Sequence, residues 1–300
     1  MKFGIPYMGS KSSIAKLLCR NLPPATHFYD LFGGGFAITH AMLLLHPAKY
    51  KHFHFNEIQS DLVDLIRRAI AGEFNYERFK PPFISREEFF QRKDACPYTR
   101  LLWSFGNNSK GYLFSKEIEP YKRSLHNAIV FNEFDDVAKS IFKKDKFDEN
   151  STTTQRRLFS RRATKTRACE LQRLEQLEQL QRLEQLELTS MSYEAVEIKP
   201  NSVVYCDPPY AGTAKYLGDF DSRRFWEWAK SHSAPIFISE YSAPIEFRIV
   251  LSVEKKTRLS SVGMTHTKNE ILFANKSAIS LLHSMGVKTF ENTGARRARN

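Results

Sequence analysis

The chain has 300 residues, 42% of them hydrophobic, which suits one large domain or a domain with an insert and exceeds a peptide-sized binding module. Its 45 lysines and arginines against 33 acidic residues give a net charge of +12, which suits a polyanionic partner, although charge alone does not establish one. The four cysteines form no Cys-x-x-Cys pair and no long apolar run occurs, so we expect no metal site, no disulfide framework and no membrane span, and we predict a cytoplasmic protein.

The first seventy residues alternate between helix-like and strand-like patterns, as a parallel sheet with crossover helices requires. Strands are predicted at residues 27–30 and 51–56. Helices are predicted at residues 12–18, 37–45 and 61–70, the last with apolar residues at helical spacing.

From about Phe74 to Glu170 the sequence is aromatic, charged and irregular, which indicates a separate unit. Within it, residues 155–167 contain six basic residues and no acidic one. Such a stretch is either a phosphate-contacting segment or a solvated linker, and the sequence leaves both open.

A low-complexity run follows, in which the sequence QRLEQLEQL begins at Gln172 and begins again at Gln181. Leucines three residues apart drift by about 60° per step around an α-helix, so a plain coiled-coil seam is not expected. A helix buried on several sides, a 3₁₀-like rod and an unusual repeat expansion stay open. These leucines are Leu171, Leu174, Leu177, Leu180, Leu183 and Leu186.

After this run the alternation resumes, with strands predicted at 202–206 and 235–239 and a helix at 222–231. Further strands are expected near 249–253 and 270–275. The simplest architecture is an α/β fold with one doubly wound sheet that is interrupted by an inserted domain.

The sharpest chemical signal is Asp207-Pro208-Pro209-Tyr210, which directly follows the apolar strand predicted at 202–206. Two prolines hold an extended turn and remove two N–H donors, so the backbone presents acceptors between a carboxylate and an aromatic ring. Asp207 and the Pro208 carbonyl could accept both hydrogens of an adenine amine while Tyr210 stacks on the base. The alternative is a Pro-Pro turn that merely closes a strand.

Two weaker signals precede it. Residues 28–35, FYDLFGGG, run from a strand into three glycines that let a ligand approach a helix N-terminus. The pattern is neither G-x-G-x-x-G nor a Walker loop, so a ligand without a pyrophosphate fits better. Glu57 ends the next strand, where its carboxylate could accept both hydroxyls of a ribose, or it could be an exposed residue that opens the next helix.

In this order, the motifs resemble the Dam-type family of N6-adenine-specific DNA methyltransferases. There a lysine motif, a D-x-F-x-G-G-type cofactor loop and an acidic ribose motif precede a target-recognition insert, and D-P-P-Y follows it. Residues 7–11 are similar to the lysine motif and residues 30–35 to the cofactor loop. Residues 237–241 and 268–270 resemble later strands of the family, so the resemblance covers nearly the whole chain.

The resemblance implies a Rossmann-like S-adenosylmethionine-dependent methyltransferase sheet with an inserted, mostly helical target-recognition domain. Residues 1–73 and 190–285 would form the catalytic domain, and residues 74–189 the recognition insert. Residues 286–300 would be a basic tail, which is small and polar enough from Asn292 onward to favour disorder.

The resemblance also assigns residues to the site. The segment from Ser104 to Asn107 is similar to one that these enzymes carry, and it either lines the site or is a loop turn. Asp207, Pro208, Pro209 and Tyr210 would be catalytic. The residues around S-adenosyl-L-methionine would be Tyr7, Lys11, Asp30, Phe32, Gly33, Gly35, Glu57, Tyr193 and Asp207.

The activity implied is methylation of the N6 amine of adenine in double-stranded DNA by a monomer, with a separate restriction endonuclease as a possible partner. N4-cytosine methylation is an alternative, although such enzymes usually have Ser in place of Asp207. RNA methylation and a non-catalytic DNA-binding protein that keeps the fold are the others. The recognised sequence cannot be read, because base contacts depend on side-chain placement in three dimensions.

Overall fold

The computed structural model describes residues 2–75, 78–164, 172–181, 183–210, 220–258 and 265–292. Two compact units are present, the first comprising Met1–Ser10 and Asp61–Leu183 and the second Lys11–Ser60 and Glu184–Asn300. No helix within the described ranges has the length and apolar character that crossing a membrane requires. The predicted disorder after Asn292 lies outside the described residues.

The second unit alternates strands and helices along the chain. It begins with a 3₁₀ helix at Lys11–Ser13 and has another at Tyr193–Ala195. Its other elements are α1 Ala15–Asn21, β1 His27–Asp30, α2 Ala37–Leu45, β2 His52–Asn56, β3 Leu186–Thr189, β4 Ser202–Cys206, α10 Ser222–Ser231, β5 Ile236–Glu240, β6 Arg248–Arg258, β7 Thr265–Ala274 and α11 Lys276–Ser284.

The elements described in the first unit are helical, as predicted for the insert. Helix α3, Ser60–Ile70, begins at the last residue before this unit. The 3₁₀ helices are Phe105–Asn107 and Gln176–Leu180. The other α-helices are α4 Arg86–Arg92, α5 Pro97–Leu102, α6 Glu119–Phe131, α7 Asp136–Phe142, α8 Thr153–Thr164 and α9 Gln172–Glu175.

Among the described residues, seven strands form one sheet in the order β3-β2-β1-β4-β5-β7-β6. The five strands from β3 to β5 run parallel to one another. Strand β7 is antiparallel to both β5 and β6. The predicted Rossmann-like α/β sheet is confirmed, and its reversed strand β7 starts near the edge at which the parallel strands end.

The core follows from the burial of the central strands. Strand β4 is buried at all five positions, as is typical of a parallel strand that is covered on both faces. The aromatic face of α10 packs against the same layer. The buried cluster consists of Tyr29, Leu31, Val204, Cys206, Phe225, Ala229, Ile236, Ile238, Phe247 and Phe273.

Three predicted elements differ from the structure by more than one residue at an end. The helix predicted at residues 12–18 begins instead as the 3₁₀ turn Lys11–Ser13, and α1 runs from Ala15 to Asn21 because the tighter turn precedes it. The strands predicted near 249–253 and 270–275 are parts of β6 and β7, which pair along ten register positions. Backbone pairing between these two strands extends them past the apolar residues that sequence patterns detect.

The basic stretch at 155–167 is helical as far as it is described. Its residues up to Thr164 belong to α8, and residues 165–167 lie outside the described part. The Phe159 ring lies 5.7 Å from that of Phe147, and Arg156 donates to the Ser151 carbonyl at 2.8 Å. Residues 155–160 therefore belong to a helix that packs in part against Phe147, and contact with phosphates stays a prediction.

The first copy of the repeated sequence adopts the 3₁₀ geometry that its period of three favours. Helix α9 continues into the 3₁₀ helix Gln176–Leu180. Leu174, Leu177 and Leu180 are each at most 2% exposed. Because side chains three residues apart eclipse one another in a 3₁₀ helix, Leu177 and Leu180 share one buried face.

The second copy forms a different structure from the same seven residues, QRLEQLE, which recur at 181–187. It ends in the edge strand β3. Glu178 of the first copy lies 2.6 Å from the Arg78 guanidinium, whereas its counterpart Glu187 lies 2.8 Å from His54 Nδ1. Tertiary pairing therefore decides the structure of this sequence, since the local propensity is the same in both copies.

Leu177→Ala should lower the thermal unfolding midpoint more than Leu186→Ala, although both change the sixth residue of the same sequence. Leu177 is fully buried, so its truncation leaves a cavity that costs about 2–5 kcal/mol. Leu186 is half-buried in an edge strand. Circular dichroism melts of both variants test this difference, and equal shifts would show that the two copies are packed alike.

Candidate active site

The Asp207 carboxylate lies at the carboxyl end of β4, where α/β sheets position ligands. Lys11, from the 3₁₀ turn at the start of the unit, approaches it with Nζ 2.7 Å from Asp207 Oδ1. The Lys11 side chain is 6% exposed and that of Asp207 is 20% exposed. The Lys11 ammonium is therefore buried, whereas the Asp207 carboxylate keeps some access to solvent.

The protonation of this pair follows from burial and charge. Burial lowers the pKa of Lys11, but the carboxylates of Asp207 and Glu270 outweigh it and raise the pKa above its usual value. Burial also raises the pKa of Asp207, and the Lys11 charge opposes that rise. The ammonium thus stays protonated, and the carboxylate becomes a better proton acceptor than one in water.

Tyr210 is held on several sides. Its hydroxyl donates to Glu270 Oε1, and Lys11 Nζ lies over one face of the ring, 4.5 Å from its centroid. The ring of Tyr241 meets it nearly perpendicularly, with centroids 4.6 Å apart. Burial and the neighbouring carboxylates raise the pKa of Tyr210, so its hydroxyl keeps the proton that it donates to Glu270.

The glycine-rich loop is shaped by close contact with β2. A Cβ on Gly33 would lie 1.9 Å from Phe55 Cε2, so only glycine fits beside this buried ring. The Gly33 N–H donates to the Asn56 carbonyl at 3.0 Å. Phe36 then adopts a left-handed conformation, with φ 67°, directly before α2. The loop therefore bends tightly across the end of β2.

Glu57 is tied to this loop by its carboxylate. Its Oε2 accepts the N–H of Gly34 at 2.9 Å, and its Oε1 accepts the N–H of Gln59 at 3.1 Å. Glu57 is only 7% exposed, so the alternative that it is an exposed residue opening the next helix is wrong. The carboxylate joins the glycine loop to the end of β2.

Asp30 is the most deeply buried acid of the motif residues, at 1% exposure. Its Oδ2 accepts the hydroxyl of Thr39, from α2, at 2.7 Å. Burial raises the pKa of Asp30 to about 7, although the Thr39 hydrogen bond favours the ionised form. Asp30 therefore changes charge near neutral pH.

The rings of Phe32 and Tyr193 are in contact, although the two residues are far apart in the sequence. Their ring centroids are 5.1 Å apart, and both rings pack against Phe225 of α10. The Tyr193 ring also meets that of Trp228 at 5.0 Å. These contacts form an aromatic cluster beside the glycine loop.

The model of the D12 class N6 adenine-specific DNA methyltransferase family matches residues 7–268, which is most of the chain. The chain belongs to this family. The resemblance inferred from the motifs is thereby confirmed, and so is the assignment as an adenine-N6 methyltransferase. Membership also implies catalysis that depends on S-adenosylmethionine.

Two solved structures of an rRNA methyltransferase, aviRa from Streptomyces viridochromogenes, are similar to this methyltransferase. One has a TM-score of 0.36 and 11% identity, covering 92% of this chain and 88% of that chain. The other has a TM-score of 0.32 and 12% identity, covering 89% and 84%. At such TM-scores the likeness supports no argument about fold or substrate. A search of curated proteins gave no match.

Two groups of predicted site residues lie in the first unit of the methyltransferase. Tyr7 is half-buried there, and its carbonyl accepts the N–H of Ser10 at 3.3 Å. The segment from Ser104 to Asn107 forms a 3₁₀ turn in which Phe105 is 68% exposed. Its geometry is that of a loop turn, and a role in lining the site stays a prediction.

Sequence reasoning did not assign three residues that contact the motifs of the methyltransferase. Thr39 binds Asp30, and Glu270 and Tyr241 contact Tyr210. Residues 237–241 and 268–270 resemble later strands of the family, but the resemblance gave no role to Tyr241 or Glu270. Thr39 carried no signal, because its contact with Asp30 depends on the packing of α2.

Asp30→Asn should stabilise the methyltransferase increasingly as the pH rises from about 4 to about 8. The folded-state pKa of Asp30, about 7, exceeds its ordinary value of 3.8, so the contribution of this carboxyl to stability is present at low pH and lost as pH rises through 7. Asparagine cannot ionise and can still accept the Thr39 hydrogen bond. Thermal midpoints of both proteins across this range test the prediction, and a difference that is constant with pH would contradict it.

Proposed function

We propose that this methyltransferase transfers a methyl group from S-adenosylmethionine to the N6 amine of adenine in double-stranded DNA. The observation that carries the proposal is the Asp207 carboxylate, held by Lys11 at 2.7 Å beside Tyr210. This arrangement combines an acceptor for amine hydrogens with a ring that can stack on a base. Asp207 also favours adenine over cytosine, for which serine is usual at this position.

Asp207 and the Pro208 carbonyl act on the amine. An adenine amine is a poor nucleophile, because its lone pair is delocalised into the ring. Accepting both of its hydrogens favours a pyramidal nitrogen whose lone pair is directed at the methyl donor. The burial-raised pKa of Asp207 suits it to receive the proton that the amine loses as the N–C bond forms. S-adenosylmethionine, when bound, supplies the electrophilic methyl group.

Tyr210 receives the base. Because Lys11 Nζ covers one face of its ring, we expect an extrahelical adenine to stack on the other face. The base must leave the duplex first, since the amine is not accessible for transfer inside the stack. Pro208 and Pro209 hold the turn that keeps the carbonyl and the ring at a fixed separation.

The carboxylates and aromatic rings around the glycine loop have the chemistry that S-adenosylmethionine requires of a binding site. The acids Asp30 and Glu57 suit the amine and hydroxyl groups of S-adenosylmethionine, and the aromatic rings of Phe32 and Tyr193 suit its adenine. The tight loop that Gly33 requires allows backbone approach to a ligand. We assign cofactor contacts to these residues and to Tyr7, Lys11, Gly35 and Asp207.

We assign catalysis to residues 1–73 and 190–285 and target recognition to residues 74–189, as the sequence predicts, although the compact units divide the chain after Ser10, Ser60 and Leu183. A net charge of +12 and the arginines of α8 support a polyanionic substrate. The expectations of a monomer, of a separate restriction endonuclease and of a cytoplasmic location stay predictions.

The first test is incubation of the purified protein with methyl-labelled S-adenosylmethionine and unmethylated duplex DNA, with single-stranded RNA as competitor. Nucleoside mass spectrometry and modification-sensitive sequencing then identify the product and its sequence context. N6-methyladenine within one short motif supports the proposal. N4-methylcytosine, methylated RNA, or DNA binding without methylation would each overturn it.

Asp207→Asn should lower the single-turnover rate of methyl transfer by roughly 10²-fold or more, because the amide cannot take the role of the carboxylate at the amine. Binding of S-adenosylmethionine should change little, since the carboxylate acts mainly on the target amine. Rapid-quench assays measure the first effect and calorimetry the second. Transfer at a near wild-type rate would rule out this mechanism.

A further inference from the structure

Glu270 reaches the catalytic edge because β7 runs against the parallel strands. Residue 240 of β5 pairs with Ile271, so Glu270 lies beside the end of β5 and near the turn that follows β4. A parallel strand would have brought its carboxyl end here instead. The carboxylate is only 3% exposed, although it begins an otherwise apolar run.

This buried carboxylate is satisfied by two groups of the site. Its Oε1 accepts the Tyr210 hydroxyl, and the same atom lies 3.5 Å from Lys11 Nζ. Lys11 in turn lies 2.7 Å from Asp207 Oδ1. A buried carboxylate requires such partners, so Glu270, Lys11, Asp207 and Tyr210 form one connected network.

The geometry points to Glu270 as the positioning residue for Tyr210, fixing the ring for the target base by accepting its hydroxyl. The hydroxyl is the end of the side chain farthest from the backbone, so a bond there restricts rotation about both side-chain torsions. Tyr241 and Lys11 limit the ring from two other directions. Glu270 thus acts through Tyr210. The inference rests on the proposed function.

The test compares single-turnover methyl transfer by Glu270→Ala, Glu270→Gln, Tyr210→Phe and the double variant Glu270→Ala/Tyr210→Phe. Glu270→Ala and Tyr210→Phe each remove the hydrogen bond and should each lower the rate roughly tenfold to hundredfold. The double variant should be no slower than Glu270→Ala alone, since both changes remove one interaction. Glu270→Gln should keep most of the rate, because its amide oxygen can accept the hydroxyl.

A spectroscopic readout separates positioning of the ring from general loss of structure. With 2-aminopurine in place of the target adenine, stacking on Tyr210 quenches the emission of the extrahelical base. Glu270→Ala and Tyr210→Phe should restore part of this emission, and Glu270→Gln should not. Glu254→Gln, an exposed change on the neighbouring strand β6, is the matched control and should resemble wild type.

Several outcomes would overturn the inference while leaving the proposed function intact. These are a wild-type rate for Glu270→Ala, additive losses in the double variant, or a loss in Glu270→Gln as large as that in Glu270→Ala. If Glu270→Ala does not fold, the transfer rates and the 2-aminopurine emission of Tyr210→Phe and Glu270→Gln still test the inference. A wild-type protein that methylates no DNA would instead overturn the proposed function itself.

Discussion

The ion pair between Lys11 and Asp207 is the interaction on which the rest of the site depends. A buried ammonium must be paired, and here its partner is the carboxylate that follows the central strand β4. The pair therefore links the first turn of the second unit to a residue almost two hundred positions later. It also orders the neighbours, since the same ammonium lies over Tyr210 and near Glu270.

Sheet polarity brings the remaining parts to the same edge. Asp30 ends β1, and Glu57 and Asp207 directly follow β2 and β4, so three acidic groups that are far apart in the sequence lie at one edge. Each carboxylate has a different partner. Asp30 accepts the Thr39 hydroxyl, and Glu57 accepts backbone N–H groups. Asp207 forms an ion pair with Lys11. One edge of the sheet thereby holds three carboxylates in three different surroundings.

Much of this arrangement could be predicted from local sequence. The run at 202–206 is apolar and short, and the acid and prolines after it fix the position of the site. The glycines before α2 were equally informative, because glycines between a strand and a helix let a ligand approach the helix N-terminus. Glu270 was not, since its role depends on the reversed direction of β7 and on a partner sixty residues earlier. Strand β3 was not predictable either, because its first two residues, Leu186 and Glu187, repeat Leu177 and Glu178 of a helical segment.

The duplicated segment is a place where recombination can change the length of the gene. The two copies start at Gln172 and Gln181, and the boundary between the compact units falls within the second. Glu178 and Glu187 hold the same position in the two copies, whereas the buried Leu180 of the first copy corresponds to Thr189 of the second. Unequal recombination that adds or deletes nine residues here would keep the reading frame, but it would change residues that form a buried 3₁₀ helix in one copy and an edge strand in the other. A duplication that is easily gained or lost in the gene is therefore held in place in the protein by the different contacts of its two copies.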